Sequence, residues 1–120
     1  MFESDYYITD AARAAAGILE TDATAVFASS DNIALGVLKC LYAHSKRVPR
    51  DYSLVSYDNS AADALFEPAL TAIEQNVGQL ADEALALLFA RVEAPDAADL
   101  PVQERILSPR LIRQASVSPR

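Results

Sequence analysis

Three apolar runs of strand length, each ending in polar residues, follow one another along the chain. They are Thr24 to Gly36 (TAVFASSDNIALG), Val48 to Asn59 (VPRDYSLVSYDN) and Pro68 to Gln75 (PALTAIEQ). Their apolar parts show no clean polar alternation, the pattern of strands buried on both faces of a parallel sheet. Ligands of such sheets bind beyond the carboxyl ends of the strands. The three polar clusters are therefore expected to face one cleft.

Between the runs the spacing turns helical. Thr9 or Asp10 can cap a helix over residues 11–19, with Ala12, Ala15, Ala16 and Leu19 as its apolar stripe. A strand over 25–28 ends at Ser29. Ser30 or Asp31 can cap a helix to about His44, with Ile33, Gly36, Val37, Cys40 and Leu41 inward. Residues 45–51 form a basic, proline-containing turn before a strand over 54–57. Asn59 and Ser60 can cap a short helix over 61–66, which Glu67-Pro68 stops. A strand over 70–73 follows, then a long amphipathic helix from Val77 to about Val92. Residues 94–101 read as loop and 103–107 as strand, with Leu111 and Ile112 extending its pairing and a loose tail from Ala115. Strands alternating with helices predict an α/β fold with a mostly parallel sheet flanked by helices.

At 120 residues the chain fits one domain. No apolar run approaches the roughly 20 residues of a membrane span, and the start has no secretory pattern. The single Cys40 cannot pair within the chain and reads as a buried thiol. These features point to the cytoplasm. A net charge of −7 argues against nucleic-acid binding by this segment, since duplex binding relies on clustered Lys and Arg. Arg105, Arg110, Arg113 and Arg120 do gather at the end, where a solvated tail accounts for them.

Catalytic patterns are missing. The three glycines, Gly17, Gly36 and Gly78, are far apart, so no phosphate-cradling loop can form. One Cys and one His (His44, at an expected helix end) cannot assemble a zinc site. There is no GxSxG elbow. The reading is a protein that is not an enzyme, with no cofactor and no metal. What remains are polar groups at strand ends. Asp58 can accept hydrogen bonds from a sugar hydroxyl or a base N–H, or cap the next helix. Ser30 and Asp31 face the same choice, with capping the simpler reading. Tyr6 can stack on a flat ligand face or sit in the core beside Tyr7. Gln75 can contact ligand, sit in a hinge or end a turn.

In order and wording the three blocks, with the closing ILSPRLIRQAS, resemble the effector-binding domain of the LacI/GalR family of transcription regulators, nearest the purine repressor branch. The resemblance runs from about Glu3 to Ser116. It implies a periplasmic-binding-protein-like domain of two lobes, with a small-molecule effector between them that changes DNA affinity through a separate helix-turn-helix. On this basis residues 1–76 are an incomplete C-terminal lobe. Residues 77–102 are a crossover helix and loop that pack on the other lobe, and 103–120 are a returning strand and tail. The resemblance implies that Asp58 contacts effector, Tyr6 stacks on it, and Ser30 and Asp31 fall where sugar-responsive members carry Asn and Asp. It sets Gln75 at the crossover between lobes and Leu35 and Phe66 at the dimer interface.

The chain departs from the family at several points. Ser56 replaces the usual Gly before the aromatic-Asp pair, Ala11 a common Gly, Ser30 the Asn, and Arg50 an acidic or neutral residue. A helix-turn-helix and most of the first lobe are not in the sequence. Nor is the strand expected between one near residues 1–3 and the Ala25 strand. An open Ala25 edge would invite pairing with another chain. The expectation is a truncated piece that dimerises or swaps elements, with DNA reached only through the absent N-terminal domain and no membrane contact. Two other readings are a fragment of a transport system's periplasmic-type sugar-binding protein and a small flavodoxin-like module. Tyr6, Ser30 and Asp58 are expected to converge at one rim of the sheet.

Overall fold

The computed structural model describes residues 1–60, 65–94 and 101–119. It divides into two units, Met1–Glu74 with the chain from Arg110 onward, and Gln75–Pro109.

The first unit begins with helix α1 (Ile8–Ala15), tightening into a 3-10 turn at Ala16–Glu20. Strand β1 (Ala25–Phe27), helix α2 (Asp31–Ala43), and strands β2 (Ser53–Asp58) and β3 (Thr71–Glu74) follow. Helix α3 (Val77–Val92) belongs to the second unit, and β4 (Arg110–Ile112) returns to the first. The sheet order is β1-β2-β3-β4. The first three strands are parallel, with Ala25 opposite Ser53 and Val55 opposite Thr71, and β4 runs antiparallel to β3. The expected α/β class and mostly parallel sheet are present.

The core lies between α2 and the sheet. Leu41, Leu54 and Leu70 are fully buried, joined by Ala28, Ala34, Val37, Leu38, Cys40, Val48 and Tyr52. Each large aliphatic side chain buried there contributes about 1.5–3 kcal/mol. Helix α1 crosses α2 at Gly36. A Cβ at that position would lie 2.5 Å from Ala11 Cβ and 2.8 Å from the Ile8 carbonyl oxygen, so only glycine permits this approach.

The structure corrects several details. Tyr7, without a side-chain cap bond, precedes α1; Asp10 lies inside the helix and pairs with Arg13 at 2.5 Å. The first residues join no sheet; instead the Phe2 ring lies over Gly17, within 2.5 Å of where a Cβ would stand. No strand forms over 103–107, where Ile106 is exposed and, among the described residues, no strand offers a partner; the pairing goes to Arg110–Ile112. The short helix expected over 61–66 falls partly outside the described residues.

The tail is not loose. Ser116 is wholly buried, its Oγ donating to the Leu54 carbonyl at 2.5 Å and accepting from the Thr71 amide at 2.8 Å. Ser118 continues the binding through Ser53 and Pro49. The tail thus satisfies backbone groups at the starts of β2 and β3 that strand pairing leaves over.

Two faces stay open. β1 is an edge strand, with Phe27 58% exposed. In α3 no residue is buried, and Val77, Leu88 and Val92 are more than half exposed. Among the described residues no helix is long and apolar enough to cross a membrane.

Candidate functional site

The carboxyl ends of β1, β2 and β3 share one side of the sheet because the strands are parallel. β1 leads through Ser29 into the first turn of α2. Ser30, extended at φ −161°, caps that helix: its Oγ accepts from the Ile33 amide at 3.3 Å. Ser30 is buried and its hydroxyl is used as a cap. Asp31 is thereby turned to another partner. Its carboxylate accepts from Ser56 Oγ at 2.5 Å and from the Ser60 amide at 2.9 Å.

β2 ends at Asp58, which has a positive φ of 108°, and Asn59 directly after it has a φ of 56°. Beyond them, Asn59 Nδ2 donates to Glu74 Oε1 at 2.9 Å, and Glu74 is also paired with Arg110. The Arg110 guanidinium, and after it the Asn59 amide, holds the Glu74 carboxyl below its ordinary range. The rim therefore carries the carboxylates of Asp31, Asp58 and Glu74, with Arg110 as counter-charge. Such a rim accepts hydrogen bonds from hydroxyls or ring N–H groups. Among the described residues no group of carboxylates, His or Cys is placed to hold a metal ion.

Of the residues singled out from sequence, Ser30 and Asp31 follow β1 and Asp58 ends β2, at the same end of the sheet, and Asp31 bonds Ser56 and Ser60 on either side of Asp58. Tyr6 does not join their network; it lies two residues before α1 and is 72% exposed. Gln75 directly follows β3 as the first residue of the second unit, its carbonyl accepting from the Val77 amide. Leu35 is half-buried on α2, and Phe66 is half-buried against the core. Sequence reading did not assign roles to Ser56, Glu74 or Arg110. Ser56 carried a signal as the residue standing where a Gly is usual. Glu74 and Arg110 carried none, because only the β3-β4 register brings them together.

The periplasmic binding protein-like domain family matches residues 2–117. The HTH-type transcriptional repressor PurR of Mannheimia succiniciproducens is 37% identical over 99 residues, 82% of this chain and 29% of that protein. The ribose operon repressor of Halalkalibacterium halodurans is 33% identical over 92 residues, 75% of this chain and 28% of that protein. Among solved structures, a LacI family transcriptional regulator from Enterococcus faecalis with bound ribose superimposes with a TM-score of 0.90 at 34% identity, over 98% of this chain and 43% of that one. A ribose-bound regulator of the same family from Enterococcus faecium gives 0.88 at 29% identity, with the same coverage. The chain thus spans under a third of these curated relatives and under half of these crystallised chains. It belongs to the periplasmic binding protein-like domain family, as part of the effector-binding domain of LacI/GalR regulators, near the purine repressor branch.

Proposed function

We propose that this chain is the ligand-sensing portion of a LacI/GalR-type transcription regulator, taking a small effector of the sugar or purine class and having no enzymatic activity. The observation that carries the reading is Asp58, set in a fixed turn at the end of β2 on an acceptor-rich rim. A sugar offers hydroxyl donors to such a carboxylate and a purine offers ring N–H donors. Tyr6, exposed before α1, supplies a stacking face. Ser30 acts through the α2 cap.

DNA is reached through another segment of the regulator, because a net charge of −7 repels phosphate. Leu35 and Phe66 contribute to a homodimer, and the regulator works in the cytoplasm. The repressor names of the relatives favour this reading over a transport protein's sugar-binding component.

The test is calorimetric titration of D-ribose and of purine bases into the intact protein that contains this sequence. D58N is expected to weaken the effective ligand at least about tenfold, roughly 1.4 kcal/mol. Unchanged affinity in D58N overturns the assignment.

A further inference from the structure

The Asp58–Asn59 turn has a backbone form that L-residues seldom adopt. Asn and Asp tolerate positive φ better than other residues because their short side chains bond locally. Yet Asp58, at 108°, lies well beyond the left-handed well near 57°. Residues in such regions persist only where their surroundings over-determine them.

Two carboxylates supply that constraint. Asp31 reaches across from α2 and brackets the turn. It takes the hydroxyl of wholly buried Ser56, two residues before Asp58, and the amide of Ser60, two residues after it. Glu74, at the end of β3, takes the side-chain amide of Asn59 and is itself held by Arg110. Capping of α2 does not require Asp31, since Ser30 accepts from Ile33.

We propose that Asp31 and Glu74 are positioning residues that fix the direction in which the Asp58 carboxylate leaves β2, with Ser56 as the link to Asp31. Asp31 then selects effector through Asp58. The direction of that carboxylate decides which donor on a sugar or purine it meets, so the geometry sets specificity as well as affinity. The functional half of this inference rests on the effector reading of Asp58; the structural half stands on the geometry.

The test uses the 15N-labelled chain. Three-bond HN–Hα couplings and intraresidue NOEs report the sign of φ at residues 58 and 59. Amide exchange reports the Ser60 bond. S56A and E74A are each expected to lose the positive-φ signature. In S56A the Ser60 amide should exchange about tenfold faster or more, while Leu54 and Ala72 change less than about twofold. S56T, which keeps the hydroxyl, should restore the wild-type signature. If S56A fails to fold, E74A carries the test, because Glu74 is only partly buried. Survival of positive φ at both residues in E74A and in folded S56A overturns the proposal. So does an equal rise in exchange throughout the sheet, which would mark a general loss of stability. Loss of the turn with unchanged affinity in the ligand titration would remove the effector reading of Asp58 and leave the positioning role standing.

Discussion

Ser116 shows how much one hydroxyl can hold. It bridges the Leu54 carbonyl and the Thr71 amide inside the protein, so S116A would leave two buried backbone groups without partners. The expected loss is about 1–3 kcal/mol in chemical denaturation. Gly36 is a second such residue, for steric reasons. G36A drives a Cβ into Ala11 and the Ile8 carbonyl and should destabilise by about 1–3 kcal/mol. A11G in the same chain should recover part of that loss but not all, because the backbone contacts remain. Additivity of the two changes in a double-mutant cycle would refute the direct contact. The signals differed in kind. Gly36 was legible as an inward helix position from spacing alone. Ser116 was not, because a serine in a terminal polar stretch carries no pattern, and only the sheet shows which backbone groups need it.

At the scale of elements, periodicity read the helices and strands well where the core enforces it. The spans of α2, β2 and α3 match their patterns to within a residue or two. It failed where pairing decides. Residues 103–107 have strand character, yet β4 forms farther on, where Arg110, Leu111 and Ile112 pair with Glu74, Ile73 and Ala72 of β3. That pair makes a pH prediction. The Glu74 carboxyl lies below its ordinary range because Arg110, and then Asn59, favour its charged form. The folded protein therefore binds that proton less tightly than the unfolded chain. Its stabilising effect is complete above the ordinary glutamate range and is lost as pH falls through the lowered value. Carbon-detected NMR titration should find the Glu74 midpoint below that of an ordinary glutamate, and R110A should move it upward. An unmoved midpoint in R110A would mean another group holds the carboxylate.

For the whole molecule, the order and wording of the motifs pointed to the family, and the parallel order of the strands to a shared carboxyl end of the sheet. Tyr6 shows where that stopped. An aromatic near a strand end was expected at the rim with Ser30 and Asp58, but no strand forms there and the ring stands apart from their network. Exposed apolar side chains remain on the β1 edge and along α3. Such surfaces favour association. Sedimentation equilibrium should show self-association of this chain rising with concentration. A monomer at every concentration, unfolding in one cooperative step, would count against the expected dimer.

The antiparallel pairing of β3 with β4 makes the second unit an insertion. Glu74 and Arg110 sit directly opposite each other, one where the chain departs and the other where it comes back. Residues joined across an antiparallel pair need only a two-residue turn such as Asn-Gly to close a hairpin. Excising Gln75–Pro109 and splicing in that dipeptide should leave a miniature sheet protein that still folds, with the serine staple at one end of its strands and the acidic rim at the other.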